Sequence, residues 1–204
     1  MRLVADGLSR SFGRRKIIGP LSFTLESGRV LGVAGENGSG KTTLLRVLAG
    51  LIRPTGGTVV FEENGTSLAP RDAAHVLGWC APDLSLYGEL TAEENLDFFE
   101  RVRGRASTPD RARALLREVG LPPESHSMKS LSSLSTGQRQ RVKLAYATLH
   151  SPGVLLLDEP GANLDEAGRS VVQNVVASQR ARGIAIIASN DPRDLALADE
   201  TLSL

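Results

Sequence analysis

A glycine-rich loop at positions 35–42 limits the folds open to this chain of 204 residues. The loop reads Gly-Glu-Asn-Gly-Ser-Gly-Lys-Thr and follows the short apolar run Val30–Ala34, which predicts a buried strand. Residues 41–49 then have the periodicity of a helix, and Gly50 is placed to end it. A strand, a G-x-x-x-x-G-K-[ST] loop and a helix in this order predict a phosphate-binding site.

The residue types of the loop fit a nucleoside triphosphate. Glycine lets consecutive backbone N–H groups point into one small volume, and the start of the next helix adds the positive end of its dipole. Lys41 supplies positive charge for the outer phosphates, and Thr42 supplies a hydroxyl for Mg²⁺. The predicted nucleotide-binding residues of the loop are Gly35, Glu36, Asn37, Gly38, Ser39, Gly40, Lys41, Thr42 and Thr43.

Two carboxylates follow a second apolar run, Val154–Leu157. Asp158 ends this run, so its side chain is expected at the carboxyl edge of the sheet, where open α/β sheets bind ligands. We expect Asp158 to hold Mg²⁺, directly or through water, and Glu159 to orient or deprotonate the attacking water. The pattern therefore predicts hydrolysis of a nucleotide.

A pentapeptide, Leu134-Ser-Thr-Gly-Gln138, lies between these two sites in the chain and precedes a predicted helix over about 137–149. Ser135 can cap this helix, whose free N–H groups would form a second anion site. From near residue 3 to the C-terminus, the order of these motifs resembles the ATP-binding subunits of ABC transporters, in which LSGGQ or a close variant precedes the Asp-Glu strand. Thr136 stands where that family more often has glycine.

The resemblance implies a head-to-tail dimer with two-fold symmetry, formed by two copies of the chain or by a paired ABC ATPase subunit. In such a dimer the loop of one subunit and Ser135, Thr136, Gly137 and Gln138 of the other enclose one ATP. The resemblance also places Phe12 against adenine, although Phe12 could instead be a core residue. It further implies that Asp165 communicates with the partner protomer.

Two positions depart from the family pattern. Where a glutamine that touches Mg²⁺ is expected, the sequence has Pro82 and Asp83, and we assign no metal ligand there. Where a switch histidine is expected, the sequence has Asn190. Asn190 can donate a hydrogen bond to the γ-phosphate but cannot carry a proton or a positive charge, so hydrolysis is expected to be slow or to depend more completely on Glu159.

The predicted fold is an α/β P-loop NTPase with a mostly parallel core sheet, an N-terminal antiparallel β subdomain and an α-helical insertion. We treat residues 1–204 as one ATP-binding domain. Its core comprises about 1–82 and 151–204, and its helical subdomain, about 83–150, carries the pentapeptide. Within that subdomain, Thr91 and Glu94 predict a capping box for a helix to about Arg103.

Composition restricts the partners. The formal net charge of +1 gives no reason to expect nucleic acid, and no apolar run approaches the roughly 20 residues that span a bilayer. A single cysteine, Cys80, fits a reducing cytoplasm. The resemblance implies a cytoplasmic ATPase held at the inner face of the cell membrane by an integral membrane transporter subunit. It also implies that this subunit contacts residues near Leu86–Gly88 and Thr91–Glu94, although these residues could equally be a plain helix entry.

The transport direction and two other functions stay open. The compact sequence favours an exporter, similar to the cytochrome c maturation, haem-handling branch or to drug and lipid exporters. One alternative is an ABC ATPase that acts without a membrane partner. Another is an ATP-gated module with little turnover, which Pro82, Asp83 and Asn190 would suit.

Overall fold

An antiparallel sheet and a parallel sheet form the framework of the protein. The computed structural model describes residues 1–104, 109–122 and 129–204. The strands are β1 (Arg2–Phe12), β2 (Arg15–Glu26), β3 (Val30–Ala34), β4 (Gly56–Glu63), β5 (Thr66–Leu68), β6 (Leu77–Cys80), β7 (Val154–Asp158), β8 (Ile184–Ser189) and β9 (Glu200–Ser203). The helices are α1 (Lys41–Leu48), α2 (Ala92–Val102), α3 (Pro109–Glu118), α4 (Thr136–Thr148), α5 (Glu166–Arg180) and α6 (Pro192–Leu195).

The antiparallel sheet has the strand order β2-β1-β4-β5. In its first hairpin Leu3 lies opposite Leu25, as expected for an N-terminal antiparallel subdomain. The turn of this hairpin is short, because Arg15 and Lys16 pair with Phe12 and Ser11 of β1. The buried face of this sheet packs against α1 and thereby fixes the position of the helix that follows the loop.

The second sheet has the strand order β6-β7-β8-β3-β9, and its neighbouring strands all pair in parallel. All residues of β7 and β8 are buried, as in parallel sheets that are covered on both faces. β8 lies between β3 and β7. The carboxyl ends of three adjacent strands therefore bring together the glycine loop, Asp158 and Ser189. The predicted α/β fold with a parallel core sheet and an antiparallel sheet is confirmed.

Capping boxes start two of the helices where the sequence predicts them. Before α2, Thr91 Oγ1 accepts a hydrogen bond from the Glu94 backbone N–H, and Glu94 Oε2 accepts one from the Thr91 N–H. Before α4, Ser135 and Gln138 form the same reciprocal pair. Each cap satisfies backbone donors that would otherwise lack an intrahelical partner. α5 ends at Arg180, and the Arg182 and Gly183 N–H groups then form a turn onto the Gln179 carbonyl oxygen.

The helical part packs on the parallel sheet through one buried apolar cluster. Its members include Leu96 of α2, Leu116 of α3, Leu144 of α4, Leu157 of β7 and Ile187 of β8. The division into a core and a helical subdomain over about 83–150 stays a prediction, and residues 105–108 and 123–128 of that segment lie outside the described residues. Among the described helices, none is long and apolar enough to cross a membrane.

Candidate nucleotide-binding site

The lysine of the glycine loop is folded over the loop itself. Lys41 Nζ donates hydrogen bonds to the backbone carbonyl oxygens of Gly35 at 2.8 Å and Glu36 at 3.2 Å. The side chain is only 5% exposed. Gly40 has a φ of 112°, and a Cβ at this position would lie 2.9 Å from Ile17 Cγ2, so the turn into α1 requires glycine. The loop thus holds its positive charge beside the start of α1.

Thr42 and Asp158 form a pair of oxygen ligands at the carboxyl edge of the sheet. Thr42 Oγ1 donates a 2.7 Å hydrogen bond to Asp158 Oδ2. Burial raises the pKa of Asp158, and the hydrogen bond from Thr42 opposes this rise. Asp158 Oδ1 is buried and has no hydrogen-bond partner in the described part of the chain. An uncompensated carboxylate oxygen beside a hydroxyl oxygen fits Mg²⁺, which prefers oxygen ligands and usually takes one or two carboxylates together with substrate phosphates.

Glu159 lies between the loop and the end of β8. Its φ of 48° is in the left-handed region, and its N–H donates to the Ala188 carbonyl oxygen at 2.8 Å, so the chain turns sharply after β7. Glu159 Oε1 is 3.4 Å from Lys41 Nζ. Glu159 Oε2 accepts a 3.1 Å hydrogen bond from Ser189 Oγ. The carboxylate therefore lies between the lysine of the loop and the end of β8, and its role as general base stays a prediction.

Asn190 reaches the glycine loop through its amide. Its Nδ2 group donates to Asn37 Oδ1 at 3.3 Å, and its side chain is exposed. The hydrogen-bond donor therefore stands where a γ-phosphate bound by the loop could accept it. The contact of neighbouring Ser189 with Glu159 was not predicted, although the sequence contains a signal for it: one polar residue ends the otherwise apolar strand 184–188.

Phe12 lines the same cleft as the loop. A cleft of about 390 Å³ is lined by Phe12, Arg15, Ile17, Asn37, Gly38, Gly40, Lys41, Thr42, Thr43 and Glu159. Phe12 is 47% exposed, which disfavours its interpretation as a core residue. The Arg10 guanidinium carbon lies 4.3 Å from the centroid of the Phe12 ring. The ring is thus held at the cleft wall with area left for a flat ligand.

We expect Phe12→Ala to weaken ATP binding roughly 5- to 100-fold, because stacking of a base on an aromatic ring contributes about 1–3 kcal/mol. Titration with a fluorescent ATP analogue measures the change in Kd. Leu51→Ala is the matched control, since Leu51 is also an exposed apolar residue but does not line the cleft. A Kd for Phe12→Ala equal to that of the control would remove Phe12 from the site.

The pentapeptide starts α4 and is separate from the loop cleft. Ser135 Oγ accepts from the Gln138 N–H at 3.2 Å, and Thr136 Oγ1 accepts from Arg139 Nη2 at 3.4 Å. A Cβ on Gly137 would lie 3.1 Å from the Asn163 carbonyl oxygen. Among the described residues that line the loop cleft, none comes from the pentapeptide. Within one chain, the structure does not bring the two predicted anion sites together.

Where the family pattern has glutamine, the Asp83 side chain contacts α1 and does not line the loop cleft. Asp83 Oδ2 accepts from Arg46 Nη2 at 2.5 Å, so its carboxylate pairs with α1. Lys143 of α4 donates from Nζ to the Pro82 carbonyl oxygen at 2.6 Å. Burial lowers the pKa of Lys143. This contact was not predicted, and it ties the segment after β6 to the helix that the pentapeptide starts.

Asp165, expected at a protomer interface, caps α5 in the single chain. Its Oδ1 atom accepts from the Gly168 N–H at 2.8 Å and from Arg141 Nη2 at 2.7 Å. These hydrogen bonds lower the pKa of Asp165. Its role towards a partner stays a prediction.

A glycine loop with a buried lysine, a Thr–Asp oxygen pair and an adjacent glutamate at the edge of a parallel sheet define a P-loop nucleotide-binding protein. The family model described as "ABC transporter" matches residues 18–162. The chain belongs to this family of ABC transporter ATP-binding domains, which are ATPases.

Several relatives match almost the whole chain. The chain is 39% identical over 198 residues to the cytochrome c biogenesis ATP-binding export protein CcmA of Rhizobium meliloti. This match covers 94% of this chain and 92% of that protein. It is 36% identical over 203 residues to the Fe(3+) ions import ATP-binding protein FbpC 1 of Rhodococcus jostii. That match covers 97% of this chain, and the chain spans only 58% of the relative's length.

Solved structures share the fold. A putative ABC transporter ATP-binding protein from Pyrococcus furiosus superposes with a TM-score of 0.85 at 24% identity, covering 100% of this chain and 98% of that one. A bacterial ABC transporter cassette whose structure is described as dimeric has a TM-score of 0.87 at 20% identity, with coverage of 99% and 94%. At these identities the likeness concerns the fold alone.

Proposed function

We propose that this chain is an ATP-binding, ATP-hydrolysing subunit that powers a membrane ABC transporter. The observation that carries the proposal is the position of Glu159, whose carboxylate lies 3.4 Å from Lys41 Nζ and beside the Thr42–Asp158 pair. Lys41 and the loop N–H groups would bind the phosphates of ATP, Phe12 would stack on adenine, and Thr42 and Asp158 would hold Mg²⁺. Mg²⁺, when bound there, would neutralise negative charge on the β- and γ-phosphate oxygens.

In the proposed reaction, a water molecule attacks the γ-phosphorus and the bond to the β–γ bridging oxygen breaks, giving ADP and inorganic phosphate. Glu159 takes a proton from the attacking water. Asn190 donates a hydrogen bond from Nδ2 to a γ-phosphate oxygen in place of its present acceptor, Asn37. Since the Asn190 amide cannot accept a proton from water, proton acceptance falls to Glu159.

We further propose that two subunits bind ATP head to tail. Ser135, Thr136, Gly137 and Gln138 of one subunit would cover the phosphates bound by the loop of the other, because none of these four residues lines the loop cleft of its own chain. A two-fold arrangement uses both anion sites of both subunits. The dimeric description of one structural neighbour supports this proposal.

An exposed aromatic patch supports docking of an integral membrane subunit. Tyr87, Phe98 and Val102 are exposed, and the Tyr87 and Phe98 rings lie edge to face at 5.0 Å. Phe98 in turn contacts the Phe99 ring at 5.2 Å. Contiguous exposed apolar surface marks an interaction site. Tyr87 of this patch belongs to the predicted contact segment Leu86–Gly88. The cytoplasmic side of the membrane is the location that we propose for the docked chain. A nucleic-acid partner is not expected at a net charge of +1.

Export is the direction we propose. The relative at 39% identity is described as an export protein, and the match covers most of both chains. An exporter ATPase of the cytochrome c maturation-like or general exporter type is therefore our proposal for the transport class.

Affinity capture from native membranes in mild detergent tests the membrane assignment. We expect the tagged chain to bring down an integral membrane protein in near-equal amount, and Phe98→Asp to lose it because a charge in the apolar patch is costly to bury. Thr66→Asp is the matched control, because it adds the same charge to an exposed position on β5. Capture of ribosomal or DNA-bound material instead would support an ATPase without a membrane partner.

Asn190 stands where the family pattern has histidine, and its amide cannot carry a proton or a positive charge. This difference favours a second candidate, an ATP-gated module with little turnover. Measurable Mg-ATP hydrolysis that disappears in Glu159→Gln would count against this candidate, since a module of that kind needs no general base.

A further inference from the structure

A serine hydroxyl connects the proposed general base to a buried aspartate. Ser189 ends β8 and is fully buried. Its Oγ atom lies 3.1 Å from Glu159 Oε2 and 2.8 Å from Asp194 Oδ2, and it accepts a hydrogen bond from the Asp191 N–H at 3.0 Å. Asp194 lies on α6 and is 4% exposed. Neither Ser189 nor Asp194 lines the loop cleft, so they would influence Glu159 from outside the cleft.

The hydroxyl has one proton for two carboxyl oxygens, so it can donate to only one of them at a time. Burial raises the pKa of Asp194, and the hydrogen bond from Ser189 and the nearby Arg169 guanidinium oppose this rise. A protonated Asp194 would donate to Ser189 Oγ and direct the serine proton to Glu159 Oε2. The Ser189 hydroxyl would then have an acceptor for its proton in Glu159 and donors to its oxygen in Asp194 and the Asp191 N–H.

Asp194 is also contacted from two other parts of the chain. Its Oδ2 atom accepts from the Gly161 N–H at 3.4 Å, after β7, and its Oδ1 atom is 3.7 Å from Arg169 Nη1 of α5. Arg169 also pairs with Asp191 at 3.0 Å. The charged groups around Asp194 and Ser189 are thus Arg169, Asp191 with its partner Arg193, Glu159 and Lys41.

We propose that Ser189 and Asp194 are positioning residues for Glu159. The hydroxyl fixes Glu159 Oε2, which leaves Oε1 directed to Lys41 and the loop, and Asp194 fixes the hydroxyl. Asn190 gives no such support, because its amide contacts Asn37. The orientation of the base in this chain therefore comes from β8 and α6. This inference rests on the proposed role of Glu159 in ATP hydrolysis.

Removing the hydroxyl tests the inference. We expect Ser189→Ala to lower kcat roughly 10- to 100-fold, because a hydrogen bond to a charged group is lost, while KM and the Kd for ATP change less than about two-fold. Asp194→Asn keeps a donor towards Ser189 and should keep kcat within about three-fold of the wild type, whereas Asp194→Ala should resemble Ser189→Ala. Ser178→Ala, an exposed serine on α5, is the matched control.

A double-mutant cycle with Glu159→Gln separates positioning from a merely structural effect. Once the base is gone, Ser189→Ala should cost little further kcat; an equal additional loss would overturn the proposal, as would a loss confined to KM. If Ser189→Ala does not fold, the ratio of kcat between Asp194→Asn and Asp194→Ala decides, and a ratio near one overturns the pairing. An inactive wild type, or an unaffected Glu159→Gln, overturns the proposed function itself. Full activity of Ser189→Ala in a chain that Glu159→Gln inactivates overturns the positioning role alone.

Discussion

Lys41→Ala is expected to weaken ATP binding by roughly 100-fold or more. The lysine is buried at the loop, and each hydrogen bond from a charged group contributes about 1.5–3 kcal/mol. Two such bonds now go to the Gly35 and Glu36 carbonyl oxygens and would be redirected to phosphate oxygens when ATP binds. Alanine removes both bonds and leaves the phosphate charge uncompensated. Calorimetric titration with ATP in the presence of Mg²⁺ measures the effect.

A cation on the same helix provides the control for Lys41→Ala. Arg46→Ala removes one positive charge from α1 as well, but Arg46 pairs with Asp83 and does not line the loop cleft. We expect its Kd for ATP to match that of the wild type. Equal affinities for Lys41→Ala and Arg46→Ala, in proteins with unchanged melting temperature, would contradict the assignment of the loop as the ATP site.

The glycine loop and the helix starts could be predicted because their signals are local. Thr91 and Glu94 are three residues apart, and both halves of their capping box form as the sequence indicates. Gly40 has a positive φ, and the short loop pattern around it is enough to predict a glycine turn there. Such patterns need no knowledge of distant segments, so the sequence suffices to locate them.

The contacts that complete the site join distant parts of the chain. Thr42 and Asp158 are 116 positions apart in the sequence. They come into contact because only one strand, β8, lies between β3 and β7. Their shared role could be inferred from the motif order alone. The polar residue after the apolar run 184–188 draws attention to Ser189, but no motif pairs it with Glu159. Likewise, no motif pairs Lys143 with the Pro82 carbonyl oxygen. These contacts follow from strand order and helix packing, which periodicity does not specify.

Glu159→Gln is expected to lower kcat roughly 100- to 10,000-fold while ATP still binds, which is the range for loss of a general base. Glutamine keeps the size of the side chain and an oxygen that can accept from Ser189, but it cannot take a proton from water. It also removes the negative charge that lies 3.4 Å from Lys41 Nζ, so repulsion of the phosphates should not increase. Steady-state phosphate release at saturating Mg-ATP measures kcat.

The same variant tests the head-to-tail dimer, because a subunit that holds ATP without hydrolysing it should accumulate in the closed form. At saturating Mg-ATP we expect a dimer by light scattering, and a monomer with ADP or without nucleotide. Glu26→Gln, an exposed charge change on β2, should behave as the wild type in both assays. A monomer that binds ATP and does not hydrolyse it would keep Glu159 as the base and remove the sandwich. A dimer with full turnover would keep the sandwich and place the base elsewhere.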